Sequence, residues 1–600
     1  MKQNADVDDD GEERMKSKQD AHQNVPASVD NCTRQIKLDP IVIDELLETE
    51  VGPNGFWQWS LVFIAVFTTT GAATFPVFAD SVPLRRCYMG ERWEMAFVQH
   101  NFTFEQIGLV TGGWAHGENM ESLTAGCQRF TGDWDNLTIP VLTNPNQLLT
   151  AIVPGLSNRT VPCSNGYVYA YMPFQYDGGV VETYHMVCEQ SWYIPIGTSI
   201  FMLGMMFGYL VCGFWGARFG LKHALITFSL TELVSSALSS ASHAFWLYTI
   251  LRFFVSVGSH GKLSSFNIIL LEMTTPKYRS VMNTLYLLGF NCVSRGLITW
   301  FAYMLRNWRW LNLAATIQCV FSLAYFWLIP ESPRWLLAQD RPVDALDLLK
   351  RGRKINQRFR SKREESERLN RLWEQYTQAK LLTDSATDNT EGSTEQATVK
   401  RKPNDVVAII GKMFSSKKRT KNTLLSMLLF FLFSSIFIGL MLYMRMVRQP
   451  VYVVSLILAA AALPGAAIAS TAYRIMKHRR LPLLVVFIAV GIVLCAGGVY
   501  TYLVQPEGDL PLSITLVLSV MLMATAQRFG TSAGTGRLGS AMSAYINQLD
   551  YTVAHGTPII FYAGIAILGM ITTCCLDDTT GKEEVASEDS PQADGQVSYL

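Results

Sequence analysis

Six stretches of the chain contain no Asp, Glu, Lys or Arg: Phe56 to Ala79, Trp192 to Ala217, Trp310 to Pro330, Asn422 to Met444, Gln449 to Tyr473 and Leu481 to Pro506. At about 1.5 Å of rise per residue, each is long enough to cross a hydrocarbon layer roughly 30 Å thick. Backbone polar groups in lipid have to be satisfied inside the segment, so these runs predict helices. His223 to Ser240, Ala244 to Met273 and Ser280 to Leu305 add apolar spans with one or a few embedded charges, and Gly556 to Leu576 adds a further apolar span. Only 16% of the 600 residues are charged and 49% are hydrophobic, against about 25% charged in an ordinary soluble protein. The reading is an all-α polytopic membrane protein. The formal charge of +1 removes any global electrostatic case for nucleic-acid binding.

Residues 1–55 are polar and acidic, unlike a signal peptide, and are expected to form a cytoplasmic tail. Basic residues recur on alternate connections, at Arg218 and Lys222, at Lys277 and Arg279, and at Arg474, Lys477, Arg479 and Arg480. The positive-inside bias puts those loops in the cytoplasm, although Arg306, Arg309, Arg445 and Arg448 fall on the opposite side. The resulting plan is a helical half at 56–330, a basic cytoplasmic loop at 331–420, a second half at 421–576 and a cytoplasmic tail at 577–600. Residues 81–191 then form an extracellular loop. It holds Cys87, Cys127, Cys163 and Cys188 together with glycosylation sequons at Asn101, Asn136 and Asn158, as an oxidising compartment allows. Four cysteines pair in three ways, and their spacing does not choose among them.

Several motifs share one pattern: Glu331-Ser-Pro-Arg-Trp-Leu-Leu337 after the sixth span, Arg252-Phe-Phe in the fourth, Asn307-Trp-Arg-Trp310 before the sixth, and Glu272 seven residues ahead of Arg279. With Asp44-Glu-Leu-Leu47 and the large first loop, the chain resembles the organic ion transporters of the major facilitator superfamily, which handle organic cations, anions, zwitterions and carnitine. The resemblance covers about residues 44 to 590 and is stronger in the first half. It implies two six-helix halves that rock around a central site in the plasma membrane, with both termini cytoplasmic, a small organic ion as partner and no cofactor. It also assigns Arg218, Glu272, Arg279, Glu331 and Arg334 to gating. Two departures stand out. The family's acid after span two is replaced by Ala217, and Tyr473 takes the corresponding place in the second half. Only about 50 residues separate Pro506 from Gly556, where two spans and their loops need roughly 65–75, so the second half reads as short by about one helix, with 11–12 spans in all.

Charges at membrane depth are costly and mark functional candidates. Arg252, Lys262, Arg295 and Arg537 are set against the single Glu232, with Asp550 near the outer edge. Lys262 lies ten residues below Arg252, about 15 Å deeper and roughly 80° around the helix. The excess of cations favours an anionic or zwitterionic substrate, because the guanidinium fork matches carboxylate or sulfonate. In the resembling family, anion carriers often have Arg where Arg537 stands. Each cation has a structural alternative: Arg252 at an outer gate, Arg295 as the partner of Glu232. Lys262 is the strongest binding candidate, since no acid is placed near it by sequence. Tyr286, Trp300, Phe301 and Tyr303 are candidate aromatic lining. The chain has no metal-ligand cluster or phosphate-binding glycine loop, which argues against an enzyme. The alternatives are a cation or carnitine carrier, or a non-transporting relative with degenerate gates.

Overall fold

The computed structural model describes residues 40–69, 71–114, 125–131, 134, 157–357, 367–388, 414, 416–475, 480–504, 509–526 and 533–576. Asn136, both predicted tails up to residue 39 and after residue 576, and Lys477 and Arg479 lie outside the described residues. The chain divides into two compact units.

The larger unit is built on long helices: α1 (Phe56–Phe67), α2 (Tyr193–Phe219), α3 (Leu221–Ser240), α4 (Phe245–Glu272), α5 (Arg295–Met304) and α6 (Trp308–Thr316) in the first half. The second half supplies α7 (Lys417–Tyr443), α8 (Val451–Ile475), α9 (Arg480–Val504), α10 (Leu510–Ala526), α11 (Ala533–Thr552) and α12 (Thr557–Cys575). Among the described residues, five helical stretches are at once long and apolar enough to cross a membrane: Cys188–Phe219, Trp308–Leu328, Lys417–Met446, Arg480–Val504 and Thr557–Cys575. The first charge-free run is not one helix. After α1 the chain turns near Gly71 and resumes as Phe75–Ala79, where the Thr68 and Thr69 hydroxyls donate back to Ile64 O and Ala65 O, a habit that bends helices.

The interval between α9 and α12 corrects the expectation of a lost helix, because it holds both α10 and α11. The shortfall is met by shortening: α10 has 17 residues, and α11 starts at Ala533, inside a Gly/Ser/Thr-rich stretch of sequence. Those small residues serve packing. A Cβ on Gly536 would lie 2.9 Å from Phe430 O of α7, so glycine lets the two backbones meet. In the first half, Gly258 does the same for α4 against α3, where a Cβ would come within 2.6 Å of Glu232 N.

The cysteine-bearing loop folds as a small disulfide-bonded module within the same unit. β1 (Leu84–Cys87) pairs antiparallel with β4 (Tyr167–Ala170), and β2 (Gln128–Thr131) with β3 (Ser157–Pro162). Of the three possible pairings the structure takes Cys87–Cys163 and Cys127–Cys188. Trp93, Phe97, Ile107, Val110 and Trp134 make a modest apolar core, and the Arg86 guanidinium grips Glu94 at 2.6 and 2.5 Å. So small a core relies on covalent cross-links. The sequon residue Asn101 is exposed in a turn, and Asn158 lies on β3.

The turn between α11 and α12 is pinned by charge. His555 Nδ1 meets Asp550 Oδ2 at 2.9 Å and its Nε2 meets Asp509 Oδ2 at 3.2 Å. Asp550 also accepts from the Tyr443 hydroxyl at 2.6 Å and Gly556 N at 2.9 Å, and Asp509 accepts from Arg448 N at 2.7 Å. Burial by itself would push the imidazole down. The two carboxylates outweigh it and hold His555 up to about 10.

In the smaller unit, the helix Pro40–Leu46 meets the short helix Pro333–Ala338, and its π-helical extension Leu47–Val51 meets the helix Pro342–Gln357. Asn356 Oδ1 accepts from Trp57 N at 2.8 Å, and Arg353 pairs with Glu50 at 2.5 Å. Arg368, at the start of the helix Glu367–Asp388, reaches Glu45 at 2.8 Å.

Two measurements check this account. Gly258→Val is expected to destabilise the purified protein by about 2 kcal/mol or more through overpacking against α3, lowering its melting temperature. Gly564→Ala, whose Cβ would meet nothing within 4 Å, leaves melting unchanged. The second concerns pH. The folded-state pKa of His555 lies above the unfolded value of about 6.5, so its contribution is complete below that pH and is lost as pH rises through about 10. The melting gap between wild type and His555→Gln is therefore widest near pH 6 and narrows toward pH 9; a constant gap contradicts this.

Candidate functional site

The four buried cations of the larger unit have different surroundings, and the difference sorts them. Lys262, 4% exposed, is not unpartnered as its sequence context suggested. Its ammonium lies 2.7 Å from Glu232 Oε2 and donates to Thr68 O at 3.1 Å and Cys319 Sγ at 3.2 Å. The cause is the Gly258 contact, which seats α3 so tightly on α4 that Glu232 faces the lysine one turn further along. Sequence could not show it, because 30 residues separate the two side chains along the chain. A narrow cavity of about 10 Å³ touches the lysine between Thr68, Thr69, Ser259, Tyr286 and Tyr325, with the Tyr325 hydroxyl donating to Thr68 Oγ1. That is space for about one water, far below an organic substrate. Tyr286 lines it, as expected of an aromatic in the core, whereas Trp300 and Tyr303 are 54% and 66% exposed.

Arg252 is equally buried and equally occupied. Its guanidinium sits between the rings of Phe75, at 4.7 Å, and Phe201, at 4.4 Å, and Nη2 donates to Ala72 O at 3.2 Å. Cation–π contacts in a dry setting hold such a side chain as a structural strut.

Arg295 and Arg537 differ. Because Glu232 is taken by Lys262, the pairing of Arg295 with Glu232 considered from sequence does not form. Arg295 follows the π-turn Phe290–Ser294, a local widening of the helix of a kind common at functional sites. It is 5% exposed, and its Nη2 lies 2.6 Å from the Met441 thioether of α7. One turn on, Thr299 bonds Ser455 of α8 at 2.9 Å. Arg537, half-buried on α11, donates to the Tyr209 hydroxyl at 3.3 Å and lies 5.4 Å from its ring. Across Tyr209 sits the buried His260 ring, 5.9 Å away. Among the described residues, neither arginine has a carboxylate within ion-pair distance. A thioether and a phenol are weak acceptors, so neither guanidinium has its charge matched by these contacts. Tyr209, His260 and Met441 are neighbours that sequence reading missed, since neutral residues inside apolar runs carry no signal of their own.

In the smaller unit the predicted gating residues gather around an acid the sequence did not single out. Asp44 Oδ1 bonds Arg279 Nη2 at 2.9 Å and Arg334 Nη2 at 2.5 Å. Glu272 accepts from the Ser332 side chain beside Arg334 and Arg279, and Glu331 caps Ser332 N at 3.2 Å. Arg218, in the larger unit, lies over the Phe219 ring at 5.5 Å. Asp44 was visible only as part of a quoted motif; its partners are 235 and 290 residues away.

Comparison with known proteins places this arrangement. The sugar (and other) transporter family model matches residues 163–535. Solute carrier family 22 member 1 of Oryctolagus cuniculus is 27% identical over 318 residues, covering 51% of this chain and 54% of that protein. The organic cation transporter protein of Drosophila melanogaster is 31% identical over 210 residues, 35% of this chain and 38% of that one. Solute carrier family 22 member 12 of Rattus norvegicus is 33% identical over 199 residues, 33% and 35% of the two chains. The chain thus spans about half the length or less of these curated relatives. The proton:xylose symporter XylE gives a TM-score of 0.48 at 12% identity, covering 88% of this chain and 97% of that one. With more than half of its residues matched by the family model, this chain belongs to the sugar (and other) transporter family, membrane transporters of the major facilitator superfamily.

Proposed function

We propose that this protein carries small organic anions or zwitterions across the plasma membrane by alternating access. The observation behind this reading is the pair of guanidiniums, buried Arg295 and half-buried Arg537, that lack carboxylate partners among the described residues while Lys262 and Arg252 are occupied. They lie on helices of opposite halves, α5 and α11, so a bound anion supplies charge to both and couples the halves. Tyr209 and His260 beside Arg537 offer ring faces for the organic part of the substrate.

Both termini lie in the cytoplasm on this reading. The Asp44 ion pairs with Arg279 and Arg334, together with Glu272, act as an inner latch for the first half, tying the ends of spans that chain connectivity brings to them. Glycans sit on Asn101, Asn136 and Asn158 outside. The second reading is a carrier of organic cations, favoured by the name of the Drosophila melanogaster relative. Glu232 does not support it, because its charge is matched by Lys262.

Uptake of a labelled aromatic carboxylate and of a labelled quaternary amine into cells decides between them. Arg295→Gln and Arg537→Gln, at equal surface amounts, are expected to raise KM for the carboxylate about tenfold or more, as loss of one partner from a buried charge pair does. Uptake confined to the amine, unmoved by either change, supports the cation reading, and background uptake of both rejects transport. Lys262 behaves otherwise. Lys262→Met strands a buried carboxylate and costs about 3–5 kcal/mol, whereas adding Glu232→Gln recovers much of it. Thermal unfolding of the single and double variants reads this directly, and equal instability of both would contradict the pairing.

A further inference from the structure

A second buried ion pair joins the two halves, and sequence reading recorded only one of its members, Arg445, as a basic residue on the wrong side of the membrane. Arg445 follows α7, and its Nη1 lies 3.4 Å from Oδ2 of Asp80, which ends the short helix Phe75–Ala79. The side chains are 4% and 12% exposed. Thr198 of α2 donates to the same Asp80 oxygen at 3.4 Å, and Arg252 of α4 adds a second positive charge to its surroundings.

The pair stands at the head of a seam between the halves. Phe78 stacks on Tyr452 at 6.0 Å, the rings of Tyr303 and Tyr452 meet edge to face at 5.8 Å, and Val451 N donates to Phe174 O at 3.1 Å. Deeper come the Thr299–Ser455 bond and, last, Cys292 donating to Ala459 O at 3.1 Å. Of the contacts just named, the Asp80–Arg445 pair is the one between formally charged groups.

Given the transport reading above, we propose that Asp80 and Arg445 are positioning residues for transport, an outer lock that keeps the extracellular end shut at rest, so that the cytoplasmic end is the one open in the absence of substrate. Three features favour a lock over permanent glue. A buried ion pair contributes little net stability once desolvation is counted, and its best-attested use is to select one arrangement over another. This one is single-pronged and longer than the 2.7–2.9 Å or so of a strong charge-assisted bond; Arg445 Nε is buried without a hydrogen bond among the described residues. Opening the seam would rehydrate both charges. Finally, the acids that the resembling family uses at the inner end are absent, with Ala217 and Tyr473 in their places, which biases the equilibrium toward the state the outer lock holds.

Cys292, at the deep end of the seam, is a native reporter. In intact cells, a membrane-impermeant maleimide is applied from outside and modification of the Cys292 peptide is followed by mass spectrometry, normalised to surface protein. Wild type is expected to react slowly, and Asp80→Asn and Arg445→Gln about tenfold faster, since stranding one buried charge shifts a two-state equilibrium by at least that factor. Rates equal to wild type in both variants overturn the lock. Should neither variant reach the surface, wild type still decides: Cys292 reacts faster in inside-out than in right-side-out vesicles, and an equal or slower reaction overturns the proposal. Labelling needs no substrate, so background uptake would reject the transport reading without touching this readout.

Discussion

A charge placed among apolar helices has to find its counterpart within a few ångströms or keep its donors turned to a ligand or water. The large unit is organised around this constraint. Glu232 and Lys262 satisfy each other across α3 and α4, Asp80 and Arg445 across the two halves, and Arg252 rests between two phenyl rings. What remains are Arg295 and Arg537, whose nearest groups are a thioether and a phenol. The candidate site is thus defined by subtraction: it consists of the cations that the fold leaves with neither an acid nor a pair of ring faces around them.

That subtraction depends on packing finer than one side chain. Glycine at 258 brings α3 close enough to α4 for the Glu232 carboxylate to reach the lysine, and glycine at 536 sets α11 against α7 one residue before Arg537. Where helices lack a hydrophobic drive to associate, as in lipid, small residues at the contact and the van der Waals packing they permit decide which polar groups meet. The same physics explains the Gly/Ser/Thr-rich stretch before Arg537. In water such a composition is loop-like, but against another helix it is an interface, and α11 starts there at full contact with α7.

The smaller unit solves a different problem with exposed chemistry. Its charges are partly hydrated, so each ion pair is individually weak. Asp44 gathers two arginines, while Glu50–Arg353 and Glu45–Arg368 add further ties along the same N-terminal segment. The segment that precedes the first span is thereby fastened to the loop after the sixth. Neutral residues stand at 217, near the end of α2, and at 473, near the end of α8.

Composition and hydropathy, which depend only on what each residue is, were enough to indicate a helical membrane protein and to list the cations among its apolar helices. The motifs around Glu272, Arg279 and Glu331 pointed to the family. Which cation binds was not legible. Lys262 looked unpartnered because its acid is 30 residues distant, and the missing helix was misjudged because a length rule cannot see that α10 has 17 residues and that glycines let α11 begin early. Disulfide connectivity had the same character, three equal choices along the chain and one in space. The sequence determines which residues must leave water; only the tertiary structure, through distances set by close helix contacts, decides which of them are already paired when they do.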